Sequence, residues 1–287
     1  MRRRTFLQTS GYLAVGSLLA SRARGCDRPE KIDQVGLQLY TIRDAMQRDP
    51  DEALRQVAAL GYDYVEGAGY SLGNMYDRSP RAFKSLLDEH GLQMPSGHVD
   101  WKIMRDDPQQ AVAEAKAMGQ YFIVVPWLPE EMRTAAGYQE LARVLNEAGG
   151  VCQKAGLQLA YHNHDFEFTK MVAARRPYDL LLAETDPELV KFELDFYWIT
   201  RAGSDYKRYF AEHPGRFPLW HVKDMDATPE QFFAAVGNGV IDWPAVFAQQ
   251  EQAGMQYFFV EQDQMRPGKK PLEELAVSIA YLEKMKY

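Results

Sequence analysis

The chain has few cysteines, which limits the kinds of site it can build. Its 287 residues include two, Cys26 and Cys152, too few for a disulfide framework or a thiolate metal cluster. No Gly-x-Gly-x-x-Gly motif follows an apolar β-rich run, so a dinucleotide-binding sheet has no support. No apolar stretch reaches the roughly 20 residues of a bilayer-spanning helix. A globular protein with a different kind of site remains.

The chain also lacks basic residues relative to acidic ones. Its 33 Lys and Arg face 40 Asp and Glu, a net charge of −7, and residues 1–25 hold five of the arginines and no acid. Without that segment, 28 basic residues face 40 acidic ones, a net charge of −12. A protein this acidic repels nucleic-acid phosphates and anionic lipid surfaces. We therefore expect a small neutral or weakly charged ligand and no nucleic-acid partner.

The first 26 residues have the features of an export signal. Arg3 and Arg4 precede the apolar run 12–20, which is too short to span a bilayer comfortably. This segment resembles a bacterial twin-arginine signal peptide, so we expect residues 1–26 to be removed. The mature chain is then periplasmic and has no integral membrane segment. The alternatives are a lipid anchor at Cys26 and a basic amphipathic helix that is retained.

Past residue 33, short apolar β-rich runs alternate with longer amphipathic stretches. The runs start 27 to 40 residues apart, which is the length of a βα unit. Eight such units predict a single-domain (β/α)8 TIM barrel over residues 33–287, with a doubly wound sheet as the rival. The runs are Val35–Tyr40, Tyr62–Glu66, Gln93–His98, Tyr121–Trp127, Leu157–His162, Val190–Phe196, Phe217–Val222 and Tyr257–Glu261.

Helical patterns and glycines separate these runs. Glycine just after a helix favours the left-handed backbone conformation that ends it, and five glycines occupy such positions: Gly61, Gly91, Gly119, Gly156 and Gly254. The predicted helices include Pro50–Leu60, Arg81–Glu89, Pro108–Met118, Tyr138–Ala155, Pro229–Val236 and Trp243–Ala253.

The last four runs end in acids and histidines. In a (β/α)8 barrel the carboxyl ends of the strands meet at one mouth, and buried acids are costly unless they are paired or bind a cation. Three carboxylates and one imidazole from four adjacent strands form a hard site that suits Mn²⁺ or Mg²⁺, with Zn²⁺ or Co²⁺ as alternatives. Taken singly, each acid is more often a helix cap or a surface residue, and an isolated histidine pair is more often hydrogen-bonded structure than a pair of ligands.

At these residues the sequence resembles the sugar phosphate isomerase/epimerase superfamily, whose members have a xylose-isomerase-like barrel. The resemblance covers nearly the whole mature chain. It implies one divalent ion held by Glu, Asp, His and Glu from strands five to eight, and the last three map onto Asp195, His221 and Glu261. The motifs that carry it are Val35–Asp44, the His-Asn-His-Asp-Phe-Glu run over 162–167, Glu193–Asp195, His221–Asp224 and Val260–Glu261.

The first ligand departs from the commonest pattern of this superfamily. Many members have Glu-Asn-His where this chain has His162, so either His162 or Glu167 supplies the first ligand. We favour Glu167, because a subgroup with the same spacing from His164 to Glu167 resembles this chain. That subgroup includes 3-keto-glycoside lyases and isomerase-like proteins. Glu193, two residues before Asp195, is expected to hold a neighbouring group in place.

The leading functional hypothesis is an enzyme that removes a proton α to the carbonyl of a keto-sugar. His164 is the expected base, because imidazole titrates near neutral pH, and His162 takes that role if the two histidines exchange functions. Lys223 is expected to stabilise an oxyanion or donate a proton. Four aromatic residues near strand ends are expected to stack on sugar rings: Trp101, Trp127, Tyr197 and Trp198.

Reprotonation after proton removal gives a sugar isomerase or epimerase, and loss of a β-substituent gives a 3-keto-glycoside lyase or hydratase. A non-catalytic barrel that binds sugar or metal is the alternative from another class. An endonuclease-like relative would need a basic face, which a net charge of −12 disfavours. The sequence is compatible with a homo-oligomer.

Overall fold

The computed structural model describes residues 32–287, so the predicted signal peptide at 1–26 lies outside the described residues. Its eight main strands are β1 (Gly36–Gln38), β2 (Tyr64–Gly67), β3 (Gln93–His98), β4 (Phe122–Val125), β5 (Gln158–His162), β6 (Val190–Asp195), β7 (Leu219–Val222) and β8 (Tyr257–Val260). They are parallel and form a closed barrel in chain order, in which β1 pairs with both β2 and β8. This confirms the predicted TIM barrel.

Helices connect the strands, and five of them begin with proline, whose fixed φ suits the first helical position. Side-chain caps at Asp49, Ser79 and Asp107 accept hydrogen bonds from free backbone N–H groups. The helices span Arg43–Arg48, Pro50–Ala59, Pro80–Glu89, Trp101–Asp106, Pro108–Ala117, Ala135–Lys154, Phe166–Thr169, Pro177–Glu184, Phe196–Arg201, Tyr206–Glu212, Trp243–Phe247, Gln250–Ala253 and Pro271–Leu282, and 3₁₀ turns span Leu39–Ile42 and Glu130–Met132. The helix predicted over 243–253 is therefore divided into two.

The five glycines predicted to end helices all have positive φ, from 70° to 97°. These angles confirm the prediction. Glycine occupies such positions because it adopts this conformation without strain. Gly254 also lies close to the backbone of Gly215, where an added Cβ would come within 2.8 Å of its Cα. A larger residue at 254 would therefore disturb the approach to β7 as well as the end of a helix.

The helix predicted over Pro229–Val236 does not form. Asp226 accepts a hydrogen bond from the Phe232 N–H at 3.0 Å, and Asp224–Met225 pairs with Phe233–Ala234 as a short antiparallel hairpin. These contacts satisfy the backbone locally, so the amphipathic spacing of this stretch does not reflect a helix. A second hairpin joins Tyr70–Ser71 to Asn74–Met75.

The interior of the barrel changes character along its axis. Toward the amino ends of the strands it is apolar, filled by Tyr64, Phe122, Val124, Ala160, Leu219 and Phe259. Phe122 of β4 reaches Tyr257 of β8 across the barrel, with ring centres 6.2 Å apart. Two residues further along a strand the side chain points inward again, and there His221 follows Leu219. The polar residues of the barrel therefore meet at the carboxyl ends of its strands.

Candidate metal centre and active site

Three buried side chains from neighbouring strands form a compact group of possible metal ligands. Asp195 ends β6, and His221 lies on β7, and Glu261 follows β8. Each offers one ligand atom, and these atoms all lie within 4.8 Å of one another. His221 Nδ1 is 2.8 Å from Glu261 Oε2 and 3.8 Å from Asp195 Oδ2. We call this group the ligand cluster.

Lys223 is buried beside the ligand cluster, and its Nζ is surrounded by carboxylates. It lies 2.9 Å from Asp195 Oδ2, 2.7 Å from Glu261 Oε2 and 2.8 Å from Asp263 Oδ1. Burial favours the neutral amine, but these carboxylates outweigh it and raise the lysine pKa well above its usual value. Burial also raises the pKa of Asp195 to about 6. The side chain of Lys223 is therefore an ammonium group that faces the site.

Two deeper carboxylates fix the orientation of the histidines. Glu193 Oε2 lies 3.0 Å from His162 Nδ1 and 3.1 Å from His221 Nε2, and Glu66 Oε2 lies 2.6 Å from the same His221 nitrogen. Carboxylates are acceptors, so they keep the imidazole protons on His162 Nδ1 and His221 Nε2. The lone pair of His162 Nε2 then faces Asp195, as a metal-binding histidine requires. His221 has carboxylates at both ring nitrogens. Burial favours its neutral form, but Glu193 and Glu261 raise the pKa of His221 well above its usual value, so a cation at Nδ1 would take the place of the proton there.

Sequence reasoning missed two residues of this layer, Glu66 and His98. Burial favours neutral His98, but the Glu66 and Glu193 carboxylates prevail and raise the pKa of His98 to about 9. Gln38 Nε2 donates to Glu66 at 2.6 Å and Ser96 Oγ donates at 2.5 Å. Glu66 and His98 end the second and third predicted runs. The site was predicted from polar residues at the ends of the last four runs only, and the same search in the first half of the chain would have found these two.

The structure does not bring Glu167 to the ligand cluster. This residue lies on the helix Phe166–Thr169, where its carboxylate accepts hydrogen bonds from the Tyr161 hydroxyl at 2.6 Å and the His164 backbone N–H at 2.9 Å. Burial raises the pKa of Glu167 to about 7. His162, the alternative first ligand, places Nε2 3.9 Å from Asp195 Oδ2. The geometry therefore favours His162.

His164 lies in an aromatic environment at the mouth of the barrel. Its ring centre is 4.7 Å from Trp127, 5.4 Å from Trp198 and 5.0 Å from His162. Its Nδ1 is buried and has no hydrogen-bond partner among residues 32–287. Burial, followed by the charge of Lys223, lowers the pKa of His164 well below its usual value. His164 is therefore a neutral imidazole, and its pKa lies below the near-neutral value expected of a base from the sequence.

A cavity of about 900 Å³ opens above these residues. Trp127, Tyr197 and Trp198 contribute to its lining, together with His162, His164 and Lys223. The fourth predicted stacking residue, Trp101, does not line it. Asp100 caps the helix that begins at Trp101, and the indole is buried in the core, so Trp101 is a packing residue.

The charge balance of the site fits a divalent cation. Asp195, Glu261 and Asp263 surround the ammonium group of Lys223, and Glu66 and Glu193 pair with His98. The site therefore holds five carboxylates, set against Lys223 and the two histidines whose pKa values they raise, His98 and His221. Within the described chain, Asp195 Oδ2 and Glu193 Oε1 are buried and receive no well-aligned hydrogen bond. Buried carboxylates are costly unless they are paired or bind a cation, and a cation beside Asp195, His221 and Glu261 would add to the pairing that Lys223 already provides. The mixed oxygen and nitrogen donors suit Mn²⁺, Zn²⁺ or Co²⁺.

The fold and this site define a class of protein. Residues 54–285 match the family described as "Xylose isomerase-like TIM barrel", and the chain belongs to that family. This confirms the family resemblance predicted from the strand-end motifs.

Individual relatives make the comparison more specific. An inosose dehydratase from Geobacillus thermodenitrificans is 24% identical over 258 residues, which cover 76% of this chain and 83% of the relative. A crystal structure of a sugar phosphate isomerase/epimerase from Parabacteroides distasonis has a TM-score of 0.77 and 26% identity, over 87% of this chain and 93% of that one. The IolI protein with a bound zinc atom shares the fold, with a TM-score of 0.63 and 16% identity over 86% and 95% of the two chains.

The inosose dehydratase relatives support an enzyme that modifies a sugar or a similar polyol, and the ligand cluster offers that enzyme a site for a divalent cation. Within residues 32–287, no helix is long and apolar enough to cross a membrane.

Proposed function

We propose that this protein is a divalent-metal-dependent enzyme that removes a proton α to the carbonyl of a keto-sugar or keto-glycoside. The observation that carries the proposal is the buried group of Asp195, His221 and Glu261, next to Lys223, beneath a cavity open to small molecules. Carboxylates and an imidazole around a cation are suited to a substrate whose oxygens become negatively charged during reaction.

In this proposal, Asp195, His221, Glu261 and His162 hold the metal, with Mn²⁺ as the expected ion and Mg²⁺, Co²⁺ or Zn²⁺ as alternatives. When bound, the ion supplies Lewis-acid stabilisation of negative charge on the substrate oxygens. Glu66 and Glu193 contribute by keeping His221 and His162 in the orientation that turns a ring nitrogen toward Asp195.

His164 is the proposed base. It lines the cavity beside His162 and Trp198, and the nearby aromatic rings and Lys223 keep it neutral. The neutral imidazole is the form that accepts a proton, and its lowered pKa makes it a weaker base than a free imidazole. Lys223 has the complementary role, because its ammonium group can stabilise an oxyanion or protonate a leaving oxygen. Asp263, at 2.8 Å from Lys223 Nζ, holds that ammonium at the edge of the site.

The step after proton removal defines the reaction. Several relatives carry the name inosose dehydratase, which supports loss of a β-substituent, the lyase or hydratase alternative. Reprotonation, which gives isomerisation or epimerisation, is the second candidate. The name of the Parabacteroides distasonis structure supports it.

One experiment tests the shared step and separates these outcomes. Metal-loaded protein is incubated in D₂O with ketoses, inososes and 3-keto-glucosides, and NMR follows the hydrogens next to each carbonyl. We expect metal-dependent deuterium exchange for at least one substrate, together with elimination or epimerisation. Binding of these sugars without any exchange would instead indicate a non-catalytic barrel.

We further propose that the protein is exported to the periplasm. The twin arginines Arg3 and Arg4 and the short apolar run 12–20 support this location. Mass spectrometry of protein from its native host tests it, since an intact Met1 in the cytoplasmic fraction would contradict export. A lipid on Cys26 would appear as added mass at the new amino terminus.

A further inference from the structure

Trp127 places a large indole, 45% exposed, at the edge of the cavity. The side chain is nevertheless held on several sides. The guanidinium carbon of Arg133 lies 4.4 Å from its ring centre, and His164 and Phe166 contact it edge to face at 4.7 and 5.2 Å. An exposed aromatic ring that is fixed in this way offers a ligand a preformed stacking surface.

The segment that carries Trp127 is itself well ordered by hydrogen bonds. Arg133 Nε donates to the Leu128 carbonyl at 3.0 Å, which keeps its guanidinium over the indole and 3.4 Å from the ring centre of Phe166. Thr134 then caps the helix Ala135–Lys154 by accepting a hydrogen bond from the Gly137 N–H at 3.1 Å. A ligand that stacks on Trp127 therefore meets a surface that is already in place, which lowers the cost of binding.

The position of Trp127 relates it to the metal centre. His164 separates Trp127 from His162, with ring-centre distances of 4.7 and 5.0 Å. If one sugar ring lies at the ligand cluster, Trp127 is therefore at the distance of a second ring from the cluster. The cavity volume of about 900 Å³ lies at the upper end of the range for sites that hold drug-sized ligands, so there is room for more than one ring.

We propose that Trp127 forms a subsite for a second ring, joined to the reacting sugar by a glycosidic bond. The preferred substrate is then a glycoside with a cyclic aglycone rather than a free monosaccharide. This inference rests on the proposed function for the identity of the first ring. Arg133 acts through Trp127 and is a positioning residue.

The test is an equilibrium binding experiment with glucosides that lack a carbonyl and cannot react. Metal-loaded protein is titrated with methyl and phenyl glucopyranosides, as both α and β anomers, and calorimetry gives the dissociation constants. For a given anomer, the methyl and phenyl glucosides share the same first ring. The ratio of their dissociation constants therefore reports the second ring alone. We expect the wild-type protein to prefer the phenyl form of one anomer. Trp127→Ala should reduce that preference by about 3- to 10-fold, and Trp127→Phe should retain most of it.

Tyr121 provides a matched control. It is 56% exposed and precedes the same strand, β4, at the opposite end of the barrel, so Tyr121→Ala should leave the preference intact. The proposal is overturned if wild-type protein does not prefer either phenyl form, or if Trp127→Ala weakens the binding of methyl and phenyl glucosides equally. It is also overturned if Tyr121→Ala reduces the phenyl preference as much as Trp127→Ala does. Because no reaction occurs, absence of deuterium exchange in the keto-sugar experiment would reject the proposed function without affecting this result.

Discussion

The two ends of the barrel interior differ in composition although the same strands build them. Toward the amino ends, Leu219 and Phe259 pack in an apolar cluster. Two residues further along, His221 and Glu261 lie 2.8 Å apart in a buried polar group. Both layers are buried, so burial alone does not explain the change. Apolar burial stabilises the fold directly, whereas buried carboxylates destabilise it unless they are paired or bind a cation.

This difference separates what holds the fold from what performs chemistry. The apolar layer needs only shape and volume, and many hydrophobic residues supply those. The polar layer needs particular atoms at particular distances, such as Lys223 Nζ between Asp195 and Glu261. Substitutions at the apolar end are therefore expected to change stability, and substitutions at the polar end to change metal binding or rate.

The largest expected effect is loss of the metal. Asp195→Asn removes one ligand charge yet keeps an oxygen that accepts the hydrogen bond from the Trp198 N–H, at 3.0 Å in the wild type. The helix Phe196–Arg201 should therefore keep its cap, and the fold should survive. We expect tight binding of the divalent ion to be abolished. Elemental analysis and calorimetric titration with Mn²⁺ measure this, and wild-type metal content in both Asp195→Asn and His221→Ala would reject the ligand assignment.

At the apolar end, Phe122→Ala should destabilise the fold and spare the metal centre. Phe122 lies on β4, a strand that contributes none of the proposed ligands, and its side chain is buried against Tyr257. Truncation of a buried phenylalanine costs roughly 3 to 5 kcal/mol. Urea unfolding measures the loss, with Phe122→Leu as the milder control because it leaves a smaller cavity. Loss of metal from folded Phe122→Ala would show that the two layers are not separable.

The next largest expected effect is on the rate of α-proton exchange. His164→Ala should retain the metal, because no hydrogen bond joins the His164 ring to the ligand cluster in the described chain. Loss of a general base lowers α-proton exchange by roughly 10²-fold or more. Exchange in D₂O and metal content are measured on the same sample. If His162→Ala loses exchange and keeps metal, while His164→Ala loses metal, the two histidines have the opposite roles.

The sequence predicted the barrel and much of the polar layer for a simple reason. Strand periodicity assigns alternate side chains to the interior, so it predicted that the acids and histidines ending the last four strands meet at one mouth. The family resemblance then assigned Asp195, His221 and Glu261 as ligands. That periodicity stops where a strand stops. Glu167 lies on the short helix after β5 and turns back toward Tyr161, a direction that depends on the backbone path of the loop.

The same limit explains the aromatic residues and the failed helix prediction. Trp127 reaches the cavity and Trp101 does not, although both follow strands, because Trp101 starts a helix that packs into the core. The hairpin that replaces the helix at 229–236 depends on Asp226, three residues before that stretch. Such contacts depend on the three-dimensional path of the chain, which residue spacing alone does not report.

The smallest effect concerns Glu167, and it decides the first ligand. Burial raises the Glu167 pKa from 4.5 to about 7, so between those values the folded protein binds more protons than the unfolded chain. This residue's contribution to stability therefore falls as pH rises from 4.5 to 7. Glu167→Gln has no titrating group and retains an acceptor for the His164 N–H and a donor for the Tyr161 oxygen. We expect the unfolding free energy to fall less steeply with pH in this range, with a slope that changes by the equivalent of at most one bound proton. The metal content should be unchanged. If Glu167→Gln loses its metal, Glu167 rather than His162 is the first ligand, as the spacing from His164 had indicated.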